Sequence, residues 1–421
     1  MTVNHELIDE VADLQQSARS RVAKMTPQWL QGANGPKANS INNAVMALDY
    51  DPILSGALAY NEFTWEIVLT RDIPQLHIHA GQMLDDYTSL IMAELEQVWQ
   101  ITFADRTVTH GVITYSHEHT FNPMKDYLND ALLAWDGVRR IDSFMHTFLG
   151  VEESQTTSLI MQTWLVGAVT KVFEPDAKFD YVLDLVGGQG AGKTTMLEKL
   201  AVGYYTDQFN DFKDKDGYQN MLRSWIVNDD EMTATANSTF EELKKFISAR
   251  TLEFRPAYGH NAVRRDKSFV VARTTNEATY LKDKTGERRF LPLLVNKKEQ
   301  QKHPVTDLTD VDVQQIWGEA MSLYKNGANA ELTQEQELTL KKHREQFMYI
   351  DETESAIEQV LQTWTGNFIT SKQIGDNIGV SDLIKAKGTA KKIKYIMDNR
   401  EDWSAGFHRQ NGAVRRGWRK S

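Results

Sequence analysis

The run Gly187-Gly-Gln-Gly-Ala-Gly-Lys193-Thr194 satisfies the pattern G-x-x-x-x-G-K-[ST] and follows directly on an apolar stretch, residues 181–186. Within that stretch Val182, Leu183, Leu185 and Val186 read as a buried parallel strand, and residues 195–201 (TMLEKLA) continue as a helix. Strand, glycine-rich turn and helix in this order aim successive backbone N–H groups and a helix N-terminus at one point, which suits phosphate. The expectation is a nucleoside triphosphate site lined by Gly187, Gly188, Gln189, Gly190, Ala191, Gly192, Lys193, Thr194 and Thr195. Lys193 supplies a point charge to the β- and γ-phosphates, and the Thr194 hydroxyl helps hold Mg2+.

A chain of 421 residues that is 41% hydrophobic can bury a substantial core and is long enough for two or three domains. It contains no cysteine, which excludes disulfides and thiolate zinc sites and fits a reducing, cytoplasmic compartment. No run approaches eighteen consecutive apolar residues, so neither a signal peptide nor a membrane partner is expected. The net charge of −11 argues against a protein that simply coats DNA, yet residues 383–421 carry eleven Lys and Arg against three Asp and Glu. If polyanions are handled, that tail and the walls of an internal channel are where they belong.

The chain divides, on pattern, into an α+β or mostly helical unit (1–119), a helical lead-in (120–175), a nucleotide-binding core (176–296), a helical connection (297–348) and a basic terminal unit (349–421). Residues 31–40 read as a linker or long loop, while 65–69 and 108–115 alternate like short strands. Beyond the phosphate loop, an apolar strand (224–227), a helix (239–249) and another strand (268–274) predict a parallel α/β sheet. Three helices followed by short strands from residue 353 onward outline a winged helix.

Phosphate binding becomes hydrolysis when an acidic pair at a strand end can hold a metal ion and polarise water. The run Trp225-Ile-Val-Asn-Asp-Asp-Glu231 supplies one: Asp230 for the metal, Glu231 for activating water, with Asp229 competing for the metal role one residue earlier. Asn276 ends the next apolar strand, where an amide can hydrogen-bond attacking water or the γ-phosphate. Arg288 and Arg289 are placed to neutralise charge developing in the transition state, in cis or from a neighbouring subunit. Between these lies a basic, aromatic-containing stretch with His260, Arg264, Arg265 and Lys267, expected to form a hairpin that grips a phosphodiester backbone.

The segments FNPMKDYLND, WDGVRRID, FEPDAKFDYVLDLVGGQGAGKTT, DDEM, ELKKFIS, FRPAYG, TTN and TGERRFLP together resemble the virulence-associated protein E family of phage and mobile-island replication proteins, across residues 120–295. The resemblance implies an α/β P-loop core of the AAA+, superfamily 3 helicase type, with a helical N-terminal lead-in and a C-terminal winged-helix-like unit. It implies an ATP-driven, ring-forming helicase, with Lys193 and Thr194 in the phosphate loop, Asp230 and Glu231 as the acidic pair, Asn276 as sensor, and Arg288 or Arg289 acting in trans. Asn228 and Asp229 depart from the family, which commonly has an acidic and an apolar residue there, so the register of the acidic pair stays open. The cofactors are then ATP and Mg2+. The partners are single- and double-stranded DNA, five further copies in a hexamer, and a primase, polymerase or initiator; Arg415 and Arg416 would contact DNA from the terminal unit.

No triad of primase carboxylates precedes residue 120. His77 with His79, and His117 with His119, would each put two imidazoles on one face of a strand but lack a third metal ligand. Asp85-Asp86 is explained by a helix N-terminus. The tryptophans read as core, with Trp403 and Trp418 the two to watch for base stacking. The competing functions are an origin-binding initiator that uses ATP only to regulate assembly and an NTPase without a nucleic-acid role.

Overall fold

The computed structural model describes residues 27–255, 261–281, 287–348 and, apart from 381, 384, 399, 401 and 411–412, residues 352–420. It is mixed α/β, built on a five-stranded parallel sheet whose strands are β1 (Val182–Val186), β2 (Tyr205–Thr206), β3 (Ile226–Asp229), β4 (Val270–Thr275) and β5 (Phe290–Leu294). Their spatial order is β5-β1-β4-β3-β2. All five residues of β1 and all six of β4 are buried. Both faces of this sheet are covered, which is why these strands read as continuous apolar runs.

The expected strands at 224–227 and 268–274 each lie slightly later, at β3 and β4, and the helix expected at 239–249 forms as Phe240–Ser248 behind a Thr239 capping box with Glu242. Much of the cover is helix Gln155–Phe173, started by Ser154, whose hydroxyl accepts from the Thr157 amide. Its apolar residues are not confined to one stripe, and twelve of its nineteen residues are buried. Three buried tryptophans tie the elements of this core together without leaving an indole N–H unsatisfied, two between the helical cover and the sheet and one, Trp317, between two helices. Trp164 donates to Val271 O at 3.1 Å, Trp225 to Ala168 O at 3.0 Å and Trp317 to Leu200 O at 2.9 Å.

Residues 41–121 form an α+β layer: helices Ile41–Asp49, Tyr87–Trp99 and Asp105–Glu118 around strands Gly81–Gln82, Glu66–Leu69, Leu58–Asn61 and Thr120–Phe121. The alternation at 108–115 is not a strand. Val108, Val112 and Tyr115 are spaced for one helix face, and Gly111 lets that face close on helix Ile41–Asp49, since a Cβ there would lie 2.8 Å from the Ala44 Cβ. Tertiary packing overrides the β-branched composition. His117 accordingly lies in the last turn of a helix with its ring against Tyr60, and His119 caps that helix, its Nδ1 2.8 Å from Tyr115 O; neither is on a strand.

A second compact unit comprises Glu277–Glu287 with Leu338–Ser421. Its core packs Ile357, Leu361, Ile369, Ile374, Ile393 and Met397 with Trp403 and Trp418. Helices Glu352–Thr363, Ser371–Asn377 and Lys387–Asp398 surround a sheet in which Ala413–Lys420 pairs with Phe368–Ile369 and Trp403–Gln410. Both tryptophans are buried, with Trp418 Nε1 donating to Asp398 Oδ1 at 2.7 Å, so neither is available to stack on a base.

Candidate functional site

The glycine-rich loop leaves β1 at Gly187 and ends at Gly192, whose φ of 87° makes it the left-handed N-cap of helix Lys193–Leu200. Side chains are excluded at both ends of the loop. A Cβ on Gly187 would lie 2.6 Å from Val295 O, and one on Gly192 would meet the Pro304 ring at 2.9 Å. Residues 189–195 line an open cavity of about 300 Å3 with Glu231, His303 and Val305.

Because β4 lies between β1 and β3, the ends of all three strands converge on this loop. Lys193 is 6% exposed and its Nζ donates to Gly187 O at 2.5 Å, Gly188 O at 3.1 Å and Asn276 Oδ1 at 3.1 Å. Burial lowers the pKa of its ammonium, and Glu231 and Asp230 oppose that shift. The Thr194 hydroxyl donates to Asp230 Oδ1 at 2.8 Å. Asn276 Nδ2 donates to the Glu231 carboxylate, at 3.0 Å to Oε1 and 2.9 Å to Oε2. Lysine, amide and carboxylate therefore form one hydrogen-bonded line.

The two candidate acidic registers are distinguished by where the side chains go. Asp229 turns into the core, accepting from Ala234 N, Thr235 N and Thr235 Oγ1 at 2.8, 2.9 and 2.6 Å, and burial raises its pKa. Asp230 faces the loop, and Glu231 follows in a left-handed conformation at φ 53° and ψ 22°. Thr274 holds this turn from both sides: its hydroxyl accepts from Glu231 N at 2.9 Å and donates to Asp230 Oδ1 at 2.8 Å. A non-glycine residue in that region costs about 1–3 kcal/mol and persists only where neighbours over-determine it. Asn228, fully buried, adds a bond from Nδ2 to Asp230 Oδ1 at 3.3 Å and another to the Tyr205 hydroxyl at 2.9 Å.

Thr274, His303 and the pair Asp184–Arg273 escaped the sequence reading. The one detectable signal was a lone acid in β1 and a lone base in β4, each inside an apolar run. They are register partners and form a buried two-point ion pair, Nε to Oδ1 at 2.8 Å and Nη2 to Oδ2 at 2.6 Å, with the guanidinium 4.0 Å from the Phe290 ring centroid. Residues 297–304, expected to be a plain surface connection, instead close over the loop: His303 Nε2 lies 3.2 Å from Gly190 O and Gln300 Nε2 donates to Ala191 O at 2.7 Å.

The arginines separate as well. Arg288 is exposed on the turn Glu287–Arg289, whereas Arg289 donates through Nε to Ser248 Oγ at 3.1 Å and lies 3.8 Å from Asp180. Strands Thr251–Phe254 and Val263–Asp266 do pair as a hairpin. On it Arg264 is exposed and Arg265 stacks on Trp65 at 4.8 Å. Lys267 does not belong with them. It is buried, donates to Phe246 O and Ile247 O at 3.1 Å each, and cannot reach a DNA backbone. His260 lies outside the described residues. Arg415 and Arg416 are exposed on the terminal hairpin. Among the described residues, no group of three or more His, Asp or Glu could hold a metal ion by itself, and no helix is long and apolar enough to cross a membrane.

No curated protein matches the chain. Among solved structures, the apo C-terminal region of NrS-1 is similar at 13% identity and a TM-score of 0.46, over 90% of this chain and 99% of that one. Its A form gives 12% identity and a TM-score of 0.47, over 86% and 96%. The profile of the virulence-associated protein E-like domain matches residues 128–349, more than half of the chain and the whole of the site just described. The chain belongs to the virulence-associated protein E-like family.

Proposed function

We propose that this chain is an ATP-dependent DNA helicase or translocase of the AAA+, superfamily 3 type, acting in replication of a phage or related mobile element. The observation that carries the reading is the convergence of Lys193, Thr194–Asp230 and Glu231–Asn276 at the ends of three adjacent strands. These are the groups needed to hold a triphosphate and activate a water beside it.

Lys193 supplies the phosphate-facing cation. Thr194 and Asp230 offer two hard oxygens 2.8 Å apart, a donor set that suits Mg2+, which usually takes one or two protein oxygens and completes its shell with substrate phosphates and water. When bound, the metal ion supplies charge neutralisation on the phosphates. Glu231 accepts the proton of the attacking water, and Asn276, which binds the same carboxylate, holds it in line with the phosphate loop. Arg288, exposed and outside this cluster, serves a neighbouring subunit's site, which makes a hexameric ring the working form. The second unit, three helices and a hairpin, is a winged helix that adds DNA contact.

The test is ATP hydrolysis by the purified chain with and without single-stranded DNA, with Lys193→Ala as the control for contaminating activity. Strong DNA stimulation, lost in the variant, supports a translocase. Hydrolysis indifferent to DNA overturns it in favour of an ATP-regulated origin-binding initiator.

A further inference from the structure

The terminal hairpin is longer than its core requires. Strands Trp403–Gln410 and Ala413–Lys420 pair from Trp403↔Lys420 out to Gln410↔Ala413, but the buried residues Trp403, Gly417 and Trp418 all lie near the inner end. Directly opposed residues share a face, and alternate residues along a strand return to it. The face that buries Trp403 and Trp418 therefore continues outward as Phe407 opposite Arg416, then Arg409 opposite Val414. Arg415 falls on the other face opposite His408, whose ring packs on Phe368 at 5.1 Å. The two arginines that sequence reading grouped as one DNA contact thus point to opposite sides.

The outer four residues form a checkerboard with apolar side chains on one diagonal and guanidinium groups on the other. Phe407 is 68% exposed and Val414 67%, and Arg409 and Arg416 are exposed beside them. Among the described residues Phe407 has no ring partner, and Arg409 and Arg416 have no carboxylate partner. An exposed phenyl ring has no folding reason to stand there, and the two cations beside it disfavour burial against another apolar face. What satisfies both is a flat aromatic ligand carrying anionic groups at nucleotide spacing: an unpaired base on the ring with its flanking phosphates on the arginines. Base pairs in a duplex present no free π-face, so the pattern selects single strands.

We infer that the outer face of this hairpin, Phe407 with Arg409, Arg416 and Val414, is a stacking site for an unpaired DNA base. The inference rests on the reading that the chain handles DNA but not on its hydrolysing ATP. It is therefore tested in the full chain carrying Lys193→Ala, without nucleotide, by fluorescence anisotropy with labelled oligothymidylate and with an abasic oligomer of the same backbone. Phe407→Ala should weaken oligothymidylate binding by about 5- to 50-fold and abasic binding by less than about twofold, while Phe407→Trp preserves both. Arg409→Ala and Arg416→Ala should weaken both ligands and each lower the salt slope by about one. Arg415→Ala should leave the ratio between the ligands unchanged. Equal losses on the two oligomers after Phe407→Ala, no loss on either, or no oligothymidylate binding by the parent would overturn the site. Loss of binding to phosphatidylserine vesicles alone would reassign the face to a lipid surface. DNA stimulation of hydrolysis, measured separately in the wild type and in Phe407→Ala, tells failure of this site from failure of the translocase reading.

Discussion

Removing one member of the Asp184–Arg273 pair leaves the other charge inside the sheet without the two-point partner that neutralises it. Their side chains are 0% and 2% exposed, and two bonds of 2.6 and 2.8 Å join the fork of the guanidinium to the carboxylate. Water cannot take over from the missing partner, so Asp184→Asn or Arg273→Met should each destabilise by about 3–5 kcal/mol. The double variant Asp184→Leu, Arg273→Met should be less damaged than either single change, because two apolar side chains of similar volume need no compensation. Arg139–Asp142, with side chains 63% and 44% exposed, provides the contrast at about 0–1 kcal/mol. Urea unfolding followed by tryptophan fluorescence reads the right region, since the Trp164 indole is bonded to Val271 O on β4 itself. Single changes that shift the midpoint no more than the surface control, or a double change that sums the two single costs, would refute the argument. Since β4 also carries Thr274 and leads into Asn276, the single variants should lose ATP turnover under conditions where they remain folded.

Glu231→Gln should keep nucleotide affinity within a few-fold and lower single-turnover hydrolysis by roughly 10²–10⁴, read by filter binding and phosphate release. Thr274→Val removes the hydroxyl that bridges Asp230 and the Glu231 amide. It should lower turnover more than affinity, and an unchanged kcat would show that the left-handed turn needs no such support. Arg288→Ala should bind ATP without hydrolysing it, and mixing it with Glu231→Gln should restore part of the activity; no rescue under assembling conditions counts against the ring. Lys267 is lowered from 10.5 to about 7 by burial, with Lys171, itself lowered to about 8, adding to the effect. The unfolded chain then holds protons that the folded chain has released, so stability rises with pH from about 7 towards 10.5, by up to about 1.4 kcal/mol per unit for each lysine. Lys267→Met should abolish the slope between pH 7 and 8 and roughly halve it above; an unaltered slope in denaturant titrations across that range would refute the assignment.

Much of the site was legible before any coordinates because its chemistry is local. The glycine-rich run Gly187–Thr194 is contiguous in sequence, with an apolar strand directly before it and a helix directly after it. Three of the five strands of the parallel sheet, β1, β3 and β4, were legible because burial on both faces writes them as apolar runs, whereas the two edge strands, β2 and β5, were not read. The stretch 108–115 misled because β-branched residues favour strands in isolation, whereas Gly111 against Ala44 is a contact between distant segments.

By itself, the sequence determined that a glycine-rich loop opens a helix on a parallel α/β core, that an acidic strand end and an amide follow it, and to which family the chain belongs. Only the tertiary structure decided that Asp230 and not Asp229 faces Thr194, that Thr274 locks Glu231, that Lys267 is buried, and that Arg415 and Arg416 point apart. Neighbouring residues on a strand point to opposite faces, so a one-residue choice that sequence spacing leaves open becomes a choice between core and site. What fills each face comes from segments tens of residues away, and their placement is settled by packing rather than by any local pattern.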